Sequence, residues 1–190
     1  MPGAMTWTGP YDLDDIWSNG ARSYAALNHK GVYRVHLADS AGVGIPLRRL
    51  RVDDPTGALY VGATPRGKRS TVANRLDAFA ATVRAAHTGN FVPARGGWNL
   101  YVLGLLDFLA VPNGDGGGDR KLVAYALTDP SWAAEHAAKA EVSVILGYRG
   151  VFGDNPPANL SSGQIGQDTH VVRTQVVAAA GRAPETWFAV

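Results

Sequence analysis

Residues 31–37 read Gly-Val-Tyr-Arg-Val-His-Leu, and residues 58–62 read Ala-Leu-Tyr-Val-Gly. Both segments are short, rich in β-branched and aromatic residues, and therefore typical of strands. Each presents one tyrosine, Tyr33 in the first segment and Tyr60 in the second. The two segments predict a pair of strands that display these tyrosines together.

Alternation of side chains along a strand decides which residues share a face. In the first segment, alternation separates Tyr33 from His36, which lies on the opposite face. In the second segment it predicts that Ala58, Tyr60 and Gly62 share one face, so that Tyr60 has two small neighbours.

The stretch between the two strands, residues 38–57, has the composition of an insertion. Residues 47–52, Leu-Arg-Arg-Leu-Arg-Val, predict a short strand. Residues 53–57, Asp-Asp-Pro-Thr-Gly, are typical of a tight turn because proline presets its φ and glycine tolerates a positive one. Together they predict a hairpin in which the arginine-rich strand pairs with residues 58–62.

A basic loop at residues 65–69 precedes a predicted helix that ends near Ala86, with Ser70 or Thr71 as its N-cap. At 100° per residue, Arg75 lies roughly 70° from the centre of the apolar stripe, at its edge. The stripe consists of Val72, Leu76, Phe79 and Val83.

A third strand is predicted at residues 121–127, followed by a helix that starts at Asp129 and Pro130 and ends near Gly147. Glu141 lies on an apolar face of this helix, where an unpaired charge is expensive. Its neighbours on that face are Ala134, Ala137, Val144 and Ile145. The pattern predicts a partner for the Glu141 carboxylate.

Composition limits the class of protein. The 190 residues are 46% hydrophobic, enough for one domain with a real core, and no apolar run is long enough to span a membrane. The absence of a secretory pattern at the N-terminus favours a cytoplasmic protein. Zero cysteines exclude disulfides and thiolate metal sites. Net charge is only +2, but of 18 basic residues four are lysines and 14 arginines, the cation suited to phosphate contacts.

Taken in order, residues 31–33, residues 59–62, Arg75, Glu141 and Asn159 resemble the motifs of the GIY-YIG endonuclease family. The resemblance implies a small α/β (α+β) domain whose three-stranded antiparallel sheet is flanked by helices. Its boundaries would be residues 31–160, with an N-terminal extension at residues 1–30, a C-terminal extension at residues 161–190 and the hairpin as an insertion.

The resemblance also implies an activity, the hydrolysis of DNA phosphodiester bonds by an endonuclease that uses one divalent metal, Mg²⁺ or Mn²⁺. Glu141 would hold the metal and Arg75 would stabilise the phosphate. Tyr33 would act as general base or position the water, Tyr60 would orient it, and Asn159 would buttress the site. A base role for a tyrosine requires nearby cations that lower its pKa.

Two positions depart from the family pattern. Ala63 follows the second glycine where many relatives have lysine, and Phe79 lies one helical turn beyond the arginine where many have histidine. Assistance to Tyr33 is therefore expected from elsewhere. Lys68 is the principal candidate, and the two histidines His36 and His87 are others.

Five arginines of the insertion and the basic loop are predicted to contact the nucleic-acid backbone. They are Arg48, Arg49, Arg51, Arg66 and Arg69. DNA is the expected partner, with RNA as the alternative, no membrane is expected, and a homodimer is left open. The competing functions are a ribonuclease and a catalytically inactive nucleic-acid-binding module of the same fold.

A second nuclease pattern is weaker. Asp107 followed by Asp119 and Lys121 partly matches the carboxylates and D-x-K of another nuclease class. That pattern requires a strand, whereas the glycine-rich residues 114–119 predict a loop.

Overall fold

The computed structural model describes residues 6–65, 70–87 and 120–159, and within them it has one antiparallel sheet and three α-helices. This confirms the predicted α+β class. The strands are β1 (Thr8–Asp12), β2 (Gly31–Asp39), β3 (Ala58–Ala63) and β4 (Arg120–Thr128). The helices are α1 (Leu13–Asn19), α2 (Val72–His87) and α3 (Ala134–Phe152), and two short 3₁₀ turns, Ala21–Ser23 and Ala25–Asn28, connect α1 to β2.

The sheet has four strands in the order β1-β4-β2-β3, so the predicted number of three is wrong by one. The additional strand is β1, which comes from the region predicted as an N-terminal extension and pairs Thr8 with Ala126 and Tyr11 with Ala124. The sequence did not predict β1 because it contains Gly9 and Pro10. Glycine and proline are depleted in strands and are found mainly at edges and bulges.

The predicted hairpin of residues 47–52 with residues 58–62 is wrong. Leu47 forms only an isolated bridge with Asp54, and β3 pairs with β2 instead. The register of β2 and β3 shifts between Val35 and His36. Because of this irregularity, Ala58 packs with α3 rather than sharing the face of Tyr60.

Helices cover both faces of the sheet. On one face, β2 side chains including Tyr33 pack with α1 and α2, where the predicted stripe is confirmed, since Val72, Leu76 and Phe79 are almost fully buried. Thr71 caps α2 by accepting a hydrogen bond from the Asn74 amide.

The other face of the sheet packs against α3. Its core consists of Val32, Ala58, Val61, Leu127, Ala140, Val144, Ile145, Tyr148 and Phe152. The helix starts later than predicted, at Ala134, because Asp129 forms a turn by accepting from the amide and hydroxyl of Ser131. It ends at Phe152, and Gly153 follows in the left-handed region with φ 90°.

Of the helices in the described ranges, none is both long and apolar enough to cross a bilayer.

Candidate functional site

The outer edge of β3, the last strand of the sheet within the described residues, is the place where elements from both layers meet. The Asn159 side-chain amide accepts from Val61 N–H and donates to Val61 C=O, both at 2.8 Å. The next outward-facing amide, that of Ala63, donates to the Glu141 carboxylate of α3. Glu141 and Asn159 therefore occupy successive positions along one strand edge.

Tyr33 and Tyr60 lie side by side against this edge. They are 1% and 8% exposed, and their ring centroids are 6.1 Å apart. The hydroxyls of Tyr33 and Tyr60 share a hydrogen bond. Gly62 allows this arrangement, since a Cβ there would lie 2.7 Å from Tyr33 Oη and 2.8 Å from Tyr60 Cε1. The second glycine of the motif thus makes room for both rings.

Arg75 reaches the same place from the first turn of α2. Its guanidinium donates a hydrogen bond to Tyr33, and the electrostatics of Tyr33 raise the pKa of Arg75. Its buried Nε has no hydrogen-bond partner in the described part of the chain. Arg75 therefore combines a fixed position with a donor that a ligand oxygen could use.

Glu141 completes what we call the edge cluster, which consists of Tyr33, Tyr60, Arg75 and Glu141. Burial raises the pKa of the Glu141 carboxyl to about 7, although Arg75 and the Ala63 amide both lower it. This carboxylate is thus incompletely neutralised by the protein. The prediction that Glu141 needs a partner on its apolar face is confirmed, and Arg75 with the Ala63 amide provides one.

Glu141 is the member of the edge cluster that could hold a divalent cation such as Mg²⁺. In the described ranges no three histidine or acidic side chains group as metal ligands, and Glu141 is the acidic member of the edge cluster. Mg²⁺ retains several waters in proteins and is commonly bound through one or two carboxylates together with substrate phosphate. Because the edge cluster offers a single carboxylate, a bound substrate would have to supply the remaining oxygens.

The pKa values of the tyrosines argue against an easily formed tyrosinate. Burial is the largest influence on Tyr33 and raises its pKa, while Arg75 lowers it by less. Burial also raises the pKa of Tyr60. Both hydroxyls are therefore protonated at neutral pH, and their chemistry is that of hydrogen-bond donors.

Of the residues expected to assist Tyr33, His36 lies on the opposite face of the sheet. Its Nδ1 is 2.7 Å from the Thr56 carbonyl and its ring contacts Tyr125 edge-on. Burial lowers the pKa of His36 to about 3. The expectation that His36 could assist Tyr33 is wrong, because the alternation of β2 directs the two side chains apart.

Phe79 packs against the edge cluster, with its ring centroid 5.6 Å from that of Tyr60. The position where relatives of the resembled family have histidine is thus apolar and closes one side of the tyrosine pair. Lys68, Arg66 and Arg69 lie outside the described residues, as does the side chain of His87.

The arginines of the insertion differ in their surroundings. Arg49 is inward-facing, with a side chain 10% exposed and an ion pair to Asp154 at 2.8 Å. It also donates to the Asn155 carbonyl and lies over the Tyr148 ring. The Arg49 guanidinium therefore attaches the insertion to the turn that follows α3, and its contact with nucleic acid stays a prediction. Arg48 and Arg51 are exposed, and Arg51 donates to the Gly150 carbonyl at 2.8 Å. Their contact with nucleic acid stays a prediction.

A second polar cluster was missed by the sequence interpretation. Asp54 is fully buried and accepts from the amide and hydroxyl of Thr56, from the Ala58 amide and from the Tyr148 hydroxyl. We call Asp54, Tyr148, Arg49 and Asp154 the loop cluster. Its sequence signal is the aspartate that opens Asp-Pro-Thr-Gly, since such residues commonly bond the backbone two positions on.

Comparison of the chain with protein-family models, with curated proteins and with solved structures finds no match. Two residues of the weaker nuclease pattern, Asp107 and Asp119, lie outside the described ranges, and Lys121 pairs with Asp12 at 3.3 Å.

Proposed function

We propose that this protein is a metal-dependent endonuclease that hydrolyses phosphodiester bonds of DNA at the edge cluster. One observation carries the proposal. Side chains from β2, β3, α2 and α3, separated by more than a hundred residues in sequence, converge on one electrostatically coupled group of two tyrosines, an arginine and a glutamate. These are the residue types that phosphoryl transfer requires for positioning and charge stabilisation.

Each residue of the edge cluster has its own role in the proposed reaction. Arg75 binds a non-bridging phosphate oxygen through the donor that the protein leaves unused, and it stabilises charge that develops there. Tyr33 shares a hydrogen bond with Tyr60 and accepts one from Arg75, and its hydroxyl would contact the attacking water or the phosphate. Glu141 would hold Mg²⁺ or Mn²⁺, which when bound supplies Lewis-acid polarisation of the phosphate.

A positioning role suits Tyr33 better than that of a general base. A base must lose its proton near the working pH, whereas burial raises the pKa of Tyr33. We therefore assign the two tyrosine hydroxyls to orientation of the water and the phosphate.

A second candidate function is an inactive nucleic-acid-binding module of the same fold. It is favoured by Phe79, which places an apolar ring where an acid–base group would serve, and by the almost complete burial of Tyr33. In that case the edge cluster would bind phosphate through Arg75 without cleaving it.

Incubation of the protein with supercoiled plasmid separates the two candidates. We expect nicking with Mg²⁺ or Mn²⁺ that chelator abolishes and that Arg75→Ala or Glu141→Gln lowers by about 100-fold or more. Matched controls are Arg84→Ala on α2 and Glu135→Gln on α3, which should leave nicking within about twofold.

The inactive module predicts intact plasmid with every metal, together with DNA binding that Arg75→Ala weakens. Structured RNA in a parallel reaction tests the ribonuclease alternative, since a metal-dependent cut confined to RNA would assign the activity to that class.

A further inference from the structure

Residues 48–52, Arg-Arg-Leu-Arg-Val, form an exposed projection that we call the insertion tip. Leu50 is 78% exposed and Val52 is 52% exposed, and both belong to the largest exposed apolar side chains among the described residues. Arg48 and Arg51 flank Leu50 and are also exposed, and the Arg51 guanidinium donates to the Gly150 carbonyl at 2.8 Å. Isolated apolar side chains at a surface are common, but a leucine between two exposed cations is a more particular arrangement.

The insertion tip is held rigidly at its base. Leu47 and Asp54 exchange two backbone hydrogen bonds of 2.8 Å, which close the loop. Arg49 pairs with Asp154, and the amide of Arg51 donates to the Phe152 carbonyl at 3.1 Å. The apolar tip is therefore preorganised, so presenting Leu50 to a partner costs little additional ordering.

The insertion tip and the edge cluster lie at opposite ends of the same strand edge. The Ala58 amide at the start of β3 bonds Asp54 beside the tip, and the Ala63 amide at its end bonds Glu141. Five strand steps correspond to about 17 Å. Along α3, the eleven residues from Glu141 to Phe152 correspond to about 16 Å, which agrees.

We infer that the insertion tip is a second DNA contact, in which Leu50 enters the minor groove as an apolar wedge while Arg48 binds a flanking phosphate. A separation of about 16 Å corresponds to about five base pairs, at 3.4 Å per step. Apolar side chains inserted between base steps are an established mode of minor-groove binding. The inference deepens the proposed function, on which it rests for the identity of the partner.

Charge and position favour DNA over a lipid surface. Both exposed arginines lie beside the leucine, and the strand edge that leads away from them ends at the phosphate-binding arginine, Arg75. The neighbouring Asp53 is exposed and opposes a polyanion. Substitution Asp53→Asn should accordingly increase the affinity for duplex DNA.

The test measures binding of a duplex of about 30 base pairs in the presence of chelator, where cleavage does not interfere. We expect Leu50→Ser to weaken binding by about tenfold with an unchanged salt dependence, because it removes no phosphate contact. Arg48→Ala should weaken binding and also reduce the salt slope by about one. Val43→Ser, which alters another exposed valine with 63% exposure, is the matched control and should bind normally.

The bend angle of the bound duplex, measured by fluorescence energy transfer between its ends, reports the wedge directly. Wild type and Arg48→Ala should bend the duplex at saturation, and Leu50→Ser should not. Binding of Leu50→Ser within twofold of wild type overturns the inference, and so does an equal loss in Val43→Ser. Leu50-dependent binding to vesicles of anionic phospholipid with Leu50-independent binding to DNA overturns it as well.

Failure of the wedge and failure of the nuclease are distinguishable. If the wild type nicks DNA with metal and Leu50→Ser binds DNA normally, the wedge is rejected and the nuclease is retained. If DNA binding depends on Leu50 but the protein nicks DNA with no metal tested, the wedge is retained and the nuclease is rejected.

Discussion

The edge cluster and the loop cluster use the same residue types for opposite purposes. Each contains a carboxylate, an arginine and at least one tyrosine, and each joins the sheet region to α3. In the loop cluster, Asp54 accepts four hydrogen bonds from within the protein. In the edge cluster, Glu141 accepts from one backbone amide and lies near Arg75. The Nε atoms of Arg75 and of Arg49 are alike in having no hydrogen-bond partner in the described ranges, so the arginines do not distinguish the two clusters. The difference lies in the carboxylates, because Asp54 is fully bonded within the protein and Glu141 is not.

The largest effect should come from removing the carboxylate that is completely bonded. Asp54→Ala leaves the hydroxyl of Tyr148 and the amides of Thr56 and Ala58 without their acceptor. We expect the free energy of unfolding to fall by about 3–5 kcal/mol. Denaturant titration measures it, and the exposed neighbour Asp53→Ala should change it by at most about 0.5 kcal/mol. Equal effects at the two aspartates would contradict the description of the loop cluster.

Crowding at the edge cluster should have the next largest effect. Gly62→Ala introduces a methyl group 2.7 Å from Tyr33 Oη, so the tyrosine pair must separate. The expected loss is about 1–3 kcal/mol of stability, together with a loss of plasmid nicking beyond what the lowered stability explains. Full nicking by a folded Gly62→Ala protein would show that the spacing of the tyrosines is unimportant.

Glu141→Gln should stabilise the protein at alkaline pH, in contrast to Asp54→Ala. The folded pKa of Glu141, about 7, exceeds its ordinary value of 4.5, so the folded state holds the proton more tightly than the unfolded chain. This proton contributes its full share to the free energy of unfolding below the ordinary pKa, and the contribution is lost as pH rises through about 7. Thermal unfolding at about pH 8 should therefore favour the variant by about 3 kcal/mol, and the difference should vanish near pH 4. A variant less stable than wild type at pH 8 would mean that Glu141 is as well bonded as Asp54.

The smallest effect concerns His36, which bonds the same Thr56 that supports Asp54. The pKa of His36 in the folded protein, about 3, is below its ordinary value of 6.5. Its contribution to the free energy of unfolding is therefore complete above pH 6.5 and is lost as pH falls toward 3. Between pH 6.5 and 5.5 the free energy of unfolding of the wild type should fall by about 1 kcal/mol more than that of His36→Asn, because asparagine does not titrate. Parallel pH profiles of the two proteins would refute a neutral buried histidine.

Local patterns predicted much of this architecture because their causes are local. The alternation of β2 and the stripe of α2 follow from neighbouring residues, and Glu141 was conspicuous on an apolar helical face. Arg75 was placed correctly at the edge of its stripe for the same reason.

What sequence could not predict depends on contacts between distant segments. The recruitment of β1 and the partner of β3 depend on pairing across the sheet, and one register shift moved Ala58 to the other face. The depth of burial that raises the pKa of Tyr33 is set by α2 and β3 together. Asp54 looked like an ordinary turn residue because its Tyr148 partner lies 94 residues away.

The side chain of Asn159 also has a consequence for assembly. An exposed edge strand invites pairing with a strand from another molecule, and β3 is an edge strand. Asn159 occupies both the amide and the carbonyl of Val61, while Ala158 donates to the Leu59 carbonyl and Glu141 occupies the Ala63 amide. Loss of the Asn159 amide therefore does more than loosen the candidate site. It also exposes backbone donors and acceptors of an edge strand with which another chain could pair.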